Sequence, residues 1–381
     1  MTVPKSPYPW FGGKSSIAAL VWARLGNVRN FVDPFLGSCA FLLGRPEPWE
    51  GTETVNDADG MVSNFWRAIQ ADPAATAKFA DWPVNENDLH ARHVWLRGQR
   101  ENLVARLEGD PDYFDPKIAG WWVWGQCCWI GAGWCDETTT GPWSVVEVDG
   151  HPQLVRLGNA GRGVKRQLVH LGNAGRGVNR QLVHLGTAGQ GVNRKRVHLG
   201  DAGCGVNRKR VHIATHGIGR GVCADRARGD LESYFAILQD RLRDVRVCSG
   251  DWSRVCGPTP TIKQGLTGIV LDPPYSHQER DPSLYAEDHD VSADVRRWCI
   301  DWTDDARMRI ALFGYEGEGH EELDGLGWDC VAWKTQGGYA GQGAGDSPGA
   351  NNSVRERIWF SPSCLSGESL TPLFDLAGET E

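Results

Sequence analysis

Gly268-Ile269-Val270-Leu271-Asp272-Pro273-Pro274-Tyr275 decides how this chain is read. Its three β-favouring residues read as a buried strand, and two consecutive prolines cannot continue a ladder, so the chain turns after Asp272. The turn leaves a carboxylate, two backbone carbonyls without neighbouring amide donors and a flat aromatic ring at the carboxyl end of a strand. In open α/β sheets, ligands bind at that edge. Acceptors plus a stacking face suit an amino group on a planar heterocycle. The blander reading of Asp-Pro-Pro is an ordinary turn.

Outward from this strand, two outer zones share one rhythm. In residues 1–80, Asn30-Phe31-Val32 leads into Asp33-Pro34-Phe35-Leu36-Gly37-Ser38, followed by an apolar helical stretch through Leu43. Glu53-Thr54-Val55 leads into Asn56-Asp57-Ala58-Asp59, where Asn-Asp is suited to capping a helix over 60–70. In residues 231–381, a helix over 231–243 precedes the strand Val245-Arg246-Val247-Cys248, which ends in Gly250-Asp251-Trp252. The Asp-Pro-Pro-Tyr strand, a strand over 309–313 and a last strand Arg357-Ile358-Trp359-Phe360 complete the zone. Strand, turn and helix in alternation predict a parallel α/β sheet.

The middle zone, residues 81–230, is different. From Leu157 a 14-residue unit, Leu-Gly-Asn-Ala-Gly-Arg-Gly-Val-Lys-Arg-Gln-Leu-Val-His, recurs from Leu171, Leu185 and Leu199, with a degraded copy from Ile213. The repeats cover about residues 157–222. Between Arg156 and His212, twelve Arg and Lys stand against the single acid Asp201, in a chain of net charge −8. Arg162 and Arg176 share one place in the unit and Arg194 and Arg208 another, and all four read as phosphate contacts. A solvated insertion without a fixed fold is the alternative. Trp121, Trp122, Trp124, Trp129, Trp134 and Trp143 precede the repeats and read either as a hydrophobic core or as base-stacking faces.

The net negative charge disfavours a protein that coats nucleic acid non-specifically. Eleven cysteines contain no two CxxC pairs, so no metal site is expected and the thiols read as reduced, as in a cytoplasmic protein. The apolar run over 17–23 is too short to span a membrane and reads as a buried helix.

Four further constellations carry chemistry. Tyr8-Pro9-Trp10-Phe11-Gly12-Gly13-Lys14 pairs glycines that admit a close ligand with an indole and a movable charge. The turn Asp33-Pro34-Phe35-Leu36-Gly37-Ser38-Cys39 has no Gly-rich Lys-Ser/Thr loop, which disfavours a nucleoside triphosphate. Asp57 ends a strand where an acid accepts from ribose hydroxyls, although helix capping explains it equally well. Asp251 and Trp252 end another strand, with an acceptor and a ring for an adenine.

This set, in this order, resembles the Dam-type (alpha-class) DNA adenine N6-methyltransferases, including those carried by phages and mobile elements. The likeness covers both outer zones and misses the middle. It implies a Rossmann-like sheet that binds S-adenosylmethionine, split into 1–80 and 231–381 around an inserted target-recognition region, 81–230. It implies Asp272, Pro273 and Tyr275 as catalytic residues, acting on a base flipped out of double-stranded DNA. Trp10, Lys14, Phe35, Gly37, Asp57, Asp251, Trp252 and Asp272 would bind the cofactor, and Lys14 also DNA. Cys39 departs from the family pattern, standing where the second glycine of the Phe-x-Gly-x-Gly motif belongs, and is expected to crowd the methionine end of the cofactor.

Three alternatives remain at this level. The acceptor cluster fits the N4 amine of cytosine as well as adenine. A chain that lost cofactor affinity through Cys39 would be an inactive DNA-binding decoy. The Arg/Gly repeats alone suit an RNA-binding protein. A monomer or weak dimer is expected, with a cognate restriction endonuclease as an open partner.

Overall fold

The computed structural model describes residues 5–10, 13–48, 50–129, 134–135, 143–148, 151–156, 229–274, 291–333 and 355–366. Within them the strands are β1 (Asn30–Asp33), β2 (Thr52–Asp57), β3 (Trp143–Val148), β4 (His151–Arg156), β5 (Val245–Ser249), β6 (Thr267–Leu271), β7 (Met308–Tyr315), β8 (Asp329–Ala332) and β9 (Glu356–Phe360). Seven of them form one sheet in the order β5-β2-β1-β6-β7-β9-β8. β5, β2, β1, β6 and β7 are mutually parallel, and β9 runs antiparallel to both β7 and β8. β3 and β4 pair separately as an antiparallel hairpin. The molecule is therefore an α/β protein with a mixed seven-stranded sheet.

The expected strands appear where apolar runs meet turn residues. β6 is buried along its whole length and stops at Asp272, where the prolines remove the donors that a ladder needs. From β1 the chain builds outward through β2 and β5. It then returns to the other side of β1 to add β6 and β7. The order thus reverses between β1 and β6, and an open doubly wound sheet leaves a crevice at the carboxyl ends of such a pair.

Helices α1 (Ala18–Leu25), α2 (Ala40–Leu43), α3 (Gly60–Ala71), α4 (Pro73–Ala80), α5 (Glu86–Gly109), α6 (Pro116–Cys128), α7 (Gly229–Leu242) and α8 (Val291–Asp301) cover the sheet. α1 is the buried helix expected from the run over 17–23. Among the described residues, no helix is long and apolar enough to cross a membrane. α3 begins at Gly60 as expected, but its cap is Asp59 and not Asn56 or Asp57: the Asp59 side chain accepts from the Met61 amide at 2.8 Å. Asn56 instead donates to the carbonyls of Pro34 and Gly250, at 3.1 and 2.9 Å, and ties three strand ends together.

The sequence reading placed no helices in residues 81–150, yet α5 and α6 begin at side-chain caps, Asn85 and Asp115. Both helices join the main core, where Leu96, Leu103, Leu107, Ile118, Trp122 and Val123 pack with Val55, Phe65 and Trp66. Trp122 and Trp124 are buried, while Trp121, Trp129 and Trp134 are half-buried. Arg92 of α5 is buried with its guanidinium over Trp82, Trp121 and Trp124, at 4.8, 4.8 and 4.4 Å from the ring centroids. The 14-residue repeats, with Arg162, Arg176, Arg194 and Arg208, lie outside the described residues, as does Tyr275.

One buried network joins chain segments far apart in sequence. Glu53 of β2 is held by Arg241 of α7, at 2.7 and 2.8 Å, and by Arg45 at 2.8 Å. Arg45 also donates to the Val28 carbonyl, and Arg241 to that of Leu42, so both guanidinium groups are anchored beyond the carboxylate. Removing the acid strands two buried cations, which costs about 3–5 kcal/mol. Chemical denaturation of Glu53→Gln should register most of that loss. Arg243→Ala, which breaks only the exposed pair with Asp240, should stay within about 0.5 kcal/mol of the parent.

Candidate active site

The crevice at the carboxyl ends of β1, β2 and β6 is lined with acids. Asp33 ends β1, Asp57 ends β2 and Asp272 follows β6 directly. Lys14, in the short 3-10 turn Lys14–Ser16, places its Nζ 2.9 Å from Asp272 Oδ2. The ammonium also lies 5.1 Å from the Phe313 ring centroid and 5.7 Å from that of Trp333, so it is held between a carboxylate and two aromatic faces. Lys14 is only 5% exposed. The structure thus sets it inside the site beside Asp272 and away from the open surface.

Asp33 is 1% exposed. It takes a hydrogen bond from the Phe35 amide, yet its Oδ1 has no partner among the described residues. Burial is the main cause that pushes its carboxyl well above the usual carboxylate range, and the negative charges of Asp272 and Asp57 add to it. Asp57 is better served. Its Oδ2 accepts from the Gly37 amide and its Oδ1 from the Asp59 amide, both at 2.8 Å. Burial, then the charge of Asp59, still raise it to about 7, against the lowering effect of the two amides and of Arg100.

The turn after β1 is shaped by the N-terminal loop. Gly37 has φ 46°, and a Cβ there would lie 2.4 Å from Trp10 Nε1. The glycine is required because the Trp10 indole lies across its open face. Beneath the turn, the Tyr8 hydroxyl donates to the Gly37 carbonyl at 2.7 Å, and Trp66 Nε1 donates to the Tyr8 oxygen at 3.1 Å. Cys39 has φ 63°, a left-handed conformation that glycine adopts freely and that costs another residue about 1–2 kcal/mol. Its thiol carries no exposed surface and packs in the core. The expected crowding of a ligand by this side chain is therefore not what the fold produces, because the thiol does not face the open crevice.

Phe35 and Trp252 are half-buried, with rings nearly parallel at 27° and centroids 6.1 Å apart, forming an aromatic patch between the ends of β1 and β5. Asp251 is exposed, and its Oδ1 accepts from the Ser253 amide at 2.9 Å as the cap of the 3-10 turn Trp252–Val255. Pro273 is buried behind Asp272.

The structure accordingly brings Trp10, Lys14, Phe35, Gly37, Asp57, Trp252, Asp272 and Pro273 to one sheet edge, with Asp251 at its rim. Sequence reasoning gave no role to Asp33, Tyr8, Phe313 or Trp333. The Asp-Pro step at the end of β1, which repeats that of Asp272-Pro273, was the available signal for Asp33. No family model matches the chain, and no curated protein matches it.

A buried acid with a raised pKa stabilises the fold only while protonated. Its contribution is present below the unfolded carboxylate range, near pH 4, and is lost as pH rises toward the folded value. Asp33→Asn keeps an acceptor for the Phe35 amide and removes the charge. Its melting temperature should match the parent near pH 4 and exceed it at pH 8 by about 2 °C or more, the equivalent of ~1 kcal/mol in a chain of this size. A parent and variant with parallel pH profiles would count against a raised carboxyl at Asp33.

Proposed function

We propose that this chain is a DNA methyltransferase that uses S-adenosylmethionine to methylate the N6 amine of an adenine flipped out of double-stranded DNA. The observation that carries the reading is Asp272. This carboxylate stands immediately before Pro273-Pro274 at the sheet's switch point, paired with the buried Lys14 and set beside a second carboxyl, Asp33.

The residues present fit the cofactor. Asp33, Asp57 and Asp272 outnumber the one ammonium among them, which favours a ligand bearing positive charge. Asp33 Oδ1 is an unused acceptor, Asp57 stands where a ribose diol would be read, and Phe35 with Trp252 supplies apolar faces for a purine. When bound, S-adenosylmethionine supplies an electrophilic methyl group on a sulfonium. The mixed seven-stranded sheet is compatible with the Rossmann-like arrangement expected of such enzymes.

The protein's own part is played by acceptors. An exocyclic amine is a poor nucleophile because its lone pair is delocalised into the ring. The Asp272 carboxylate and the Pro273 carbonyl each accept one of its hydrogens, which draws the nitrogen toward tetrahedral geometry and localises the lone pair. Lys14 fixes the carboxylate from behind, against Phe313 and Trp333. Positioning and electrostatics carry the rate, with no covalent intermediate on the protein. This reading gives Tyr275 the stacking face for the extruded base, and gives the basic repeats, through Arg162, Arg176, Arg194 and Arg208, the phosphate backbone.

The test is transfer of labelled methyl groups to unmethylated bacterial DNA, with the modified nucleoside identified by mass spectrometry. N6-methyladenine is expected, whereas N4-methylcytosine would keep the mechanism and change the base. Asp272→Ala should lower transfer by about 10³-fold or more while DNA affinity stays within about threefold. Turnover retained in that variant would overturn the assignment.

A further inference from the structure

Helix α5 belongs by sequence position to the segment between the two halves of the sheet, yet its side chains reach the crevice. Arg100, Val104 and Glu108 stand four residues apart and therefore on one face of the helix. Arg100 Nη2 lies 2.9 Å from Asp59 Oδ2, and Arg100 Nη1 donates to the Cys135 carbonyl at 2.8 Å. Val104 packs on Gly60, the first residue of α3, where a Cβ would come within 2.8 Å of Val104 Cγ2. Glu108 Oε1 lies 3.7 Å from Arg254 Nη1, beside Gly250 at the end of β5. One face of α5 thus runs along the carboxyl ends of β2 and β5.

We infer that α5 is a wall of the cofactor site and that Arg100, anchored on Asp59, is a positioning residue that keeps Asp57 a charged acceptor. The inference rests on the cofactor reading above and deepens it, because the group being positioned is the one that would accept the ribose hydroxyls. The linkage is short. Arg100 fixes the Asp59 side chain, the Asp59 Oδ1 caps α3, and the Asp59 amide donates to Asp57 Oδ1 at 2.8 Å. With the Gly37 amide on its other oxygen, Asp57 has both carboxylate oxygens held by backbone amides.

The charged and titratable groups around the Asp57 carboxyl are Asp59 from its own turn, Arg100 from α5, Asp33 from β1 and Tyr8 from the N-terminal loop. Arg100 favours the ionised acceptor and Asp59 opposes it, so the two halves of one ion pair act on Asp57 in opposite directions. A strut that merely joined α5 to α3 would not distinguish them.

The experiment follows the Asp57 carboxyl by ¹³C NMR, assigned with Asp57→Asn, and the affinity for S-adenosylhomocysteine by calorimetry between pH 6 and 9. Four proteins are compared: the parent, Arg100→Ala, Arg100→Lys and Asp59→Asn. Asn retains the α3 cap, so the fold is protected in the last variant. The parent midpoint is expected at about 7. Arg100→Ala should raise it by about 0.5–1 unit, Asp59→Asn should lower it by a similar amount, and Arg100→Lys should leave it near the parent. At pH 7, Arg100→Ala should bind about two- to fivefold more weakly and Asp59→Asn up to about twofold more tightly, as the ionised fraction changes. Equal losses in both variants at every pH, with the Asp57 midpoint unmoved, would overturn the inference. Midpoints that move as stated while the parent takes up no S-adenosylhomocysteine would leave the positioning intact and remove the cofactor reading instead.

Discussion

Carboxylates taken out of water at one sheet edge are the constraint around which the crevice is built. Asp33, Asp57, Asp59 and Asp272 converge there because β2 and β6 flank β1 and carry Asp57 and Asp272 two residues beyond the level of Asp33, which pairs with Val55. Like charges in a partly desolvated crevice repel strongly, and each needs a cation, a set of amides or a proton. Lys14 neutralises Asp272, Arg100 neutralises Asp59, two backbone amides hold Asp57, and Asp33, with a single amide, has its carboxyl pushed up by burial. The N-terminal loop and α5 owe their positions to these pairings as much as to apolar packing.

A second constraint is topological. β2 and β5 are neighbours in the sheet, with Asp57 opposite Ser249, although the whole middle zone of the chain lies between them. The ladder alone gives no reason for α7 to return to this edge. The Glu53 network supplies one, since Arg241 of α7 reaches the carboxylate of β2 and the Leu42 carbonyl of α2 in a single side chain. Gln70 of α3 adds to it by donating to the carbonyls of Leu242 and Val245, both at 2.8 Å. A specific, directional set of donors fixes where the chain re-enters the sheet after a long excursion.

Much of the sheet was legible because its strands end in residues that cannot continue them. Ile269-Val270-Leu271 before Asp-Pro-Pro, and Phe31-Val32 before Asp33-Pro34, announce both their burial and their ends. β8 was not legible, since Asp329 and Cys330 are exposed and the strand has no apolar rhythm. α5 was hidden for a related reason. Its buried face includes Arg92 and His93 among its leucines, and these polar residues interrupt the periodicity that would reveal it. Arg92 is tolerated only because three indoles surround it, and that is a tertiary fact. At the site, the residue types were readable and their pairings were not. Lys14 and Asp272 are far apart in the chain and meet through strand order, and the need for Gly37 is explained by Trp10, which no local pattern connects to it.

The same acids set stability against binding. Burial first, and then the charges of neighbouring acids, raise the carboxyls of Asp33 and Asp57. Under the proposed reading, a cationic ligand would offset part of the free energy lost in gathering the carboxylates. Filling the deficit with a permanent lysine or arginine would stabilise the fold and abolish the demand for the ligand. Lys14 and Arg100 avoid this outcome by neutralising Asp272 and Asp59, the two acids that flank the crevice, and leaving Asp33 and Asp57 unneutralised between them. The distribution of two cations among four acids, more than the number of either, is the feature on which the proposed binding of a cationic ligand rests.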